Sequence, residues 1–197
     1  HALRLLVGFP SPAPLLERTL NGPLHAPTFV ALHNHAPLRA AAYALRSDPN
    51  MLGDQAWSVR YRVRPDADEL RAGLDPEGSP RRRRAALAAL HAHPMPLHAP
   101  LRQLADGSPQ GLRALAVLAR LGEQDAIALI AEVIDDGDAP DADRRTALQR
   151  LAEIDPADAR ARSLQLLHAP RRLAFEAARQ LHRAGDTEAR TAVLHTQ

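Results

Sequence analysis

Apolar side chains recur three and four residues apart along much of the chain, which is the pattern of amphipathic helices. In the C-terminal half, four segments with this pattern can be laid over one another. Their aligned leucines lie 28, 33 and 30 residues apart, and such regular intervals indicate tandem repeats. The segments are Arg83–His93, Gly111–Gly122, Arg144–Asp155 and Ala174–Gly185, with Leu90, Leu118, Leu151 and Leu181 in register.

Each segment is followed by a turn signal and then by a second apolar stretch, so the predicted unit is helix, tight turn, helix and short loop. Ser108 and Asp138 stand shortly before Pro109 and Pro140, and we expect these two residues to cap the helices that follow. The second helices are predicted over Leu97–Ala105, Asp125–Ile134, Ala157–Leu167 and Thr187–Leu194.

The N-terminal half follows the same rhythm less regularly. Trp57–Arg64 alternates apolar and polar residues, as a strand does, but its helical surroundings favour an atypical helix with Asp66–Leu74 as its partner. The turn residues at Glu77–Pro80 mark the one seam, so we expect irregular helical repeats over residues 1–79 and regular ones over residues 80–197. The remaining helices are predicted over Ala2–Gly8, Ala13–Asn21, Pro27–Asn34 and Leu38–Arg46.

A single helix pair of this size cannot bury its apolar face, whereas stacked pairs share one continuous core. The composition also favours packed helices. Hydrophobic residues make up 45% of the chain but aromatic residues only 3%, so the apolar content is mostly Ala and Leu, which are strong helix formers. We therefore predict an all-α fold, an α-solenoid of about six to seven antiparallel helix pairs in one continuous array.

Composition also narrows the chemistry and the location. The chain has no Cys, which excludes disulfides and thiolate metal sites, and no apolar run approaches the length of a membrane span. All 25 basic residues are Arg and the formal net charge is +2, close to neutral. We expect a bacterial, cytoplasmic protein without a membrane partner. Because position 1 is His1 rather than Met, we also expect either that the chain is a fragment or a trimmed form or that it begins with a disordered leader.

Two of the segments resemble a known repeat. Leu118–Glu123 (LARLGE) and Leu181–Asp186 (LHRAGD) are similar to the short HEAT-like repeat of phycobilin lyase subunits and many bacterial proteins, written VRxxAxxALGxLGD. Arg83-Arg84 and Arg144-Arg145 fall on its arginine positions, and the third copy departs from it at Ile154–Pro156. The resemblance covers residues 80–197 well and residues 1–79 only by rhythm. It implies an α-solenoid and no particular activity.

Histidines and carboxylates are the first candidates for chemistry. The residues His33–His35 spell HNH, but the nuclease of that name uses residues dispersed over a ββα-metal fold, so we interpret this match as a coincidence. His91, His93 and His98 would bind zinc or nickel if they converged, yet no nearby carboxylate orients them and a solvated turn explains them. The acidic run Asp135–Asp143 lacks the spacing of a calcium loop and fits helix capping. We therefore expect no enzymatic activity, no cofactor and no metal.

The aromatic residues Tyr43, Trp57 and Tyr61 admit a further interpretation. Some HEAT-like proteins are DNA glycosylases that hold a damaged nucleotide between aromatic side chains. A single Trp fits that requirement poorly, so packing in the core is the simpler expectation.

Arginines recur near the starts of successive first helices, where positive charge opposes the helix dipole. Stacking would bring them to one edge of the array, which would then contact phosphates. Alternatively, they form a ladder of ion pairs with Asp106, Asp141 and Asp186. The arginines concerned are Arg81, Arg82, Arg83, Arg84, Arg144, Arg145, Arg171 and Arg172.

The predicted function is a non-enzymatic interaction or scaffolding module that binds a protein or peptide on a concave surface lined by second helices. Arg102, Gln103, Arg160 and Gln165 are its candidate contacts. The alternative is DNA binding along the arginine-rich edge, and a third hypothesis is an enzyme or chaperone of the bilin-lyase type.

Overall fold

The computed structural model describes residues 26–185, and it is helical in every regular element of that range, with no strand. The all-α class is therefore confirmed. None of the helices described is both long and apolar enough to cross a membrane. The helices predicted over Ala2–Gly8, Ala13–Asn21 and Thr187–Leu194 lie outside the described residues.

Twelve α-helices are found between residues 26 and 185. The first six are α1 (Ala26–His35), α2 (Pro37–Arg46), α3 (Pro49–Leu52), α4 (Asp54–Val63), α5 (Ala67–Gly73) and α6 (Pro80–Ala92). The next six are α7 (His98–Leu104), α8 (Pro109–Arg120), α9 (Gln124–Asp135), α10 (Asp141–Ile154), α11 (Pro156–Gln165) and α12 (Arg171–Arg183). A 3₁₀ turn over Leu166–His168 follows α11.

The chain divides into two compact units, residues 1–93 and residues 94–197. We call them the N-terminal and the C-terminal unit. Helices α1–α6 belong to the first and helices α7–α12 to the second.

In the N-terminal unit, α4 is buried on two sides. Its Ala56 and Val59 join an apolar cluster with residues of α1 and α2, while Trp57 and Tyr61 are buried on a different side, where Arg82 of α6 contacts both rings. A helix buried on two sides carries apolar residues at more positions than one stripe allows, which accounts for the strand-like alternation. The helical interpretation of Trp57–Arg64 is confirmed. The cluster comprises Phe29, Leu32, Ala40, Ala44, Leu52, Ala56 and Val59.

In the C-terminal unit, successive helices contact each other and the predicted first helices also contact one another. Helix α8 contacts α7, α9 and α10, and α10 contacts α9, α11 and α12. The four leucines that the repeats place in register are all buried, Leu90 of the N-terminal unit included. The alignment predicts that the same position of each repeat is removed from water, and these leucines meet that prediction.

The helices end as the turn residues predict, by two different mechanisms. Gly122 and Gly185 take the left-handed conformation, with φ of 93° and 77°, and so end α8 and α12. Asp155 instead follows α10 and caps α11, because its side chain accepts hydrogen bonds from the backbone N–H groups of Ala157 and Asp158.

Of the two predicted caps, one is confirmed and one is wrong. Ser108 accepts a hydrogen bond from the backbone N–H of Gly111 (3.1 Å) at the start of α8. Asp138 lies too early to cap α10, which begins at Asp141 after Pro140. Asp138 instead donates its backbone N–H to Asp136 in the preceding turn (2.9 Å).

Candidate functional site

The four consecutive arginines of α6 separate into two pairs. Arg82 lies over the Trp57 ring, with its guanidinium carbon 3.7 Å from the ring centroid, and its Nε donates to the Tyr61 hydroxyl (3.0 Å). Arg83 donates to the carbonyl of Gly78 (3.1 Å). Both are half-buried and support the fold of the N-terminal unit.

The outer pair, Arg81 and Arg84, is exposed. Both residues line an open groove of about 830 Å³ in the N-terminal unit, together with Asp54 and Ser58. The arginine run therefore offers two guanidinium groups to a ligand rather than four.

The other predicted arginines lie in the C-terminal unit. Arg144 donates to the carbonyl of Ile134 near the end of α9 (2.9 Å), and Arg145 donates to the main-chain oxygen of Asp141 rather than to its carboxylate (3.2 Å). Arg171 and Arg172 are exposed in the first turn of α12. Asp186, the third predicted ladder carboxylate, lies outside the described residues.

Arg102 belongs to a cluster at the start of α9. Its Nε and one terminal nitrogen donate to Glu123 (3.0 and 2.8 Å), and His98 Nδ1 also contacts this carboxylate. The hydrogen bond with His98, followed by that with Arg102, holds the pKa of Glu123 below its usual value. The expectation that no carboxylate orients the histidines is therefore wrong for His98. The sequence did not reveal this contact because Glu123 lies 25 residues further along the chain.

Arg160 lines a different feature, an open cleft of about 500 Å³ between α10, α11 and α12. Arg179 and Arg183 of α12 line the same cleft, so three guanidinium groups border one concavity. We call it the α10–α12 cleft. Its lining residues are Gln149, Ala152, Glu153, Pro156, Ala159, Arg160, Arg179, Gln180, Arg183 and Ala184.

A buried carboxylate positions the α12 side of this cleft. Glu176 is only 5% exposed and accepts hydrogen bonds from Arg179 and Gln180 (2.8 and 2.5 Å). An unpaired carboxylate would be costly there, so these contacts hold both side chains in place. Glu153, the one carboxylate of the lining, forms an ion pair with Arg150 (2.7 Å). The lining therefore holds three guanidinium groups and one carboxylate.

Sequence reasoning identified Arg160 but missed Arg179 and Arg183. The four repeats were aligned on their apolar positions, which ignore the polar face of each helix. The useful pattern was the spacing of Arg179 and Arg183, four residues apart and so neighbours on the surface of one helix.

The acidic run and the histidines bring no metal ligands together in the part of the chain that the structure describes. Asp135 forms an ion pair with Arg162, which also pairs with Asp158 (3.1 Å). These two carboxylates raise the pKa of Arg162, the contact with Asp135 contributing most. Asp141 and Asp143 lie in the first turn of α10, where negative charge favours the helix dipole.

No protein family model, curated protein or solved structure matches this chain.

Proposed function

We propose that this chain is a non-enzymatic HEAT-like helical repeat protein that binds a segment of a partner protein in the α10–α12 cleft. Two features of the helices support the repeat assignment. The aligned leucines Leu118, Leu151 and Leu181 are all buried, and α8 and α12 both end at a glycine in the left-handed conformation. The observation that carries the binding role is the presence of three arginines on the wall of one cleft.

The chemistry of the cleft fits a peptide that carries carboxylates. A guanidinium group presents its donors as a planar fork that matches a carboxylate in bidentate fashion. Arg179 is also held by Glu176, so less side-chain entropy is lost when it engages a ligand. The amides of Gln149 and Gln180 add donors and acceptors for a peptide backbone.

The same lining does not support catalysis. Among the residues that border the α10–α12 cleft there is no Ser, Thr, Cys, His or Lys to act as a nucleophile or a base near neutral pH. Its one carboxylate, Glu153, forms an ion pair with Arg150.

DNA binding remains the second candidate, and one observation favours it for the N-terminal unit. Residues 1–93 contain 12 Arg against 8 Asp and Glu, and the exposed Arg81 and Arg84 border the open groove of that unit. Such an excess of positive charge is the electrostatic requirement for contact with phosphates.

The test is selection of random displayed peptides on the full chain, with Arg183→Glu in parallel. Arg183 is exposed at the end of α12, so its reversal leaves the core intact. We expect peptides that are enriched on the wild-type chain and on Arg62→Glu, an exposed arginine of the other unit, but not on Arg183→Glu. Failure to enrich any peptide, or equal enrichment on Arg183→Glu, contradicts the proposal.

A further inference from the structure

Helix α12 presents an unusual surface. Its Leu, Ala, Glu and Gln side chains are all buried, and every side chain that is exposed or half-buried belongs to Arg, His or Phe. The most conspicuous is Phe175, which is 65% exposed although a phenylalanine ordinarily buries its ring. The residues of this face are Arg171, Arg172, Phe175, Arg179, His182 and Arg183.

The spacing of these residues places the ring beside the α10–α12 cleft. Phe175 and Arg179 are four residues apart, as are Arg179 and Arg183, so the three side chains follow one another along one side of the helix. Four residues rise about 6 Å along a helix, which is within the reach of two neighbouring side chains of one bound peptide. Arg172 extends the line on the other side of the ring, three residues before Phe175.

We propose that the occupant of this surface is an acidic peptide segment with one large apolar side chain. The apolar side chain packs on Phe175, and carboxylates on the same peptide bond to Arg179 and Arg183. This inference rests on the proposed function and adds a large apolar side chain of the partner, which contacts Phe175 beside the acidic residues. Covering an exposed aromatic ring supplies apolar burial, and the arginines around it select negative charge by complementarity.

Charge distinguishes a peptide from a nucleic acid here. The C-terminal unit, residues 94–197, contains 15 Asp and Glu against 13 Arg, so a long polyanion would meet repulsion beyond the α12 face. Helix α12 has 13 residues and is therefore about 20 Å long. A face of that length matches a short peptide.

The test is the composition of the peptides that the full chain enriches. We expect Asp and Glu on either side of a Leu, Phe or Trp. The best such peptide, labelled with fluorescein, should bind Phe175→Ser about tenfold more weakly than the wild type, while Phe175→Leu retains most of the affinity because it keeps an apolar surface. Both variants change an exposed side chain and leave the core unaltered.

The outcomes separate this inference from the proposed function. If no peptide is enriched, both fail. If the enriched peptides are neutral or basic, the carboxylate recognition proposed for the α10–α12 cleft fails together with the inference. If they are acidic but bind Phe175→Ser as tightly as the wild type, only the inference fails. Tighter binding of a labelled single-stranded DNA than of the peptide, lost in Phe175→Ser, overturns it in favour of a nucleic acid. Enrichment of acidic peptides only by a chain that ends at Gly185 would assign the face to the chain's own C-terminal residues and also overturn it.

Discussion

The guanidinium carbon of Arg82 lies over the ring of Trp57, 3.7 Å from its centroid, and the Nε of the same side chain donates a hydrogen bond to the hydroxyl of Tyr61. Burial raises the pKa of the Tyr61 phenol. The phenol donates a hydrogen bond to the main-chain oxygen of Glu69 (3.0 Å). One arginine therefore links α4 to α6, and Tyr61 continues the link to α5.

Arg82→Ala removes a charge-assisted hydrogen bond and a cation–π contact together. We expect the free energy of unfolding of the N-terminal unit to fall by about 2–3 kcal/mol. Urea denaturation followed by the fluorescence of Trp57, the one tryptophan of the chain, measures it. The matched control is the exposed neighbour, Arg81→Ala, which should change the value by less than about 0.5 kcal/mol. Equal effects of the two substitutions would contradict the structural role of Arg82.

Gly73→Ala tests the close approach of α5 to Tyr61. A Cβ at position 73 would lie 2.5 Å from the Tyr61 hydroxyl oxygen, and Tyr61 is fully buried. Alanine normally favours a helix over glycine, so the expected loss of about 1–3 kcal/mol opposes propensity. Gly137→Ala is the control, because a Cβ there meets nothing within 4 Å. A Gly73→Ala chain as stable as the wild type would show that the contact is not as described.

The comparison of two Ser→Ala substitutions should give opposite signs. Ser163 is fully buried, and its hydroxyl finds no hydrogen-bond partner among residues 26–185. Replacing it with Ala removes a desolvated polar group, so we expect stabilisation by about 1 kcal/mol, measured by urea denaturation with circular dichroism.

Ser79 is its counterpart, because this residue caps α6 and donates to Asp54 (3.0 Å). Ser79→Ala should lower the free energy of unfolding by about 1 kcal/mol. A destabilised Ser163→Ala chain would mean that the buried hydroxyl has a partner after all.

Acid should weaken the contact of Glu123 with His98 and Arg102. Because the pKa of Glu123 is lowered in the folded protein, the unfolded chain binds the proton more tightly. The stabilisation is present above the usual Glu value of 4.5 and is lost as the pH falls through the lower folded pKa. As the pH falls below 4.5, the urea midpoint of Glu123→Gln should decline less steeply than that of the wild type. Glu132→Gln changes an exposed residue of α9, so its midpoint should decline with pH as steeply as that of the wild type. Parallel curves for wild type and Glu123→Gln would refute this.

Helix positions and several helix ends followed from sequence because they depend on local physics. Gly122, Gly185 and Ser108 act within one turn of the helix they end or begin. The double burial of α4 depends on which helices surround it, and periodicity alone does not contain that information. The same limit applies to the start of α10, because Asp138, Pro140 and Asp141 are all residue types that favour the beginning of a helix.

The candidate site was less accessible to sequence reasoning. Four adjacent arginines look alike in sequence, and only the position of Trp57 shows why Arg82 turns inward while Arg81 does not. The α10–α12 cleft joins Arg160 to residues about twenty positions further along the chain, across a packing that apolar spacing does not specify.

The most direct test of the central claim is an equilibrium titration of the best enriched peptide, followed by fluorescence anisotropy, against the wild type, Arg183→Glu and Arg62→Glu. If the α10–α12 cleft is the binding site, the Kd rises about tenfold or more in Arg183→Glu and stays at the wild-type value in Arg62→Glu. The same Kd in all three proteins would place binding elsewhere and contradict the account.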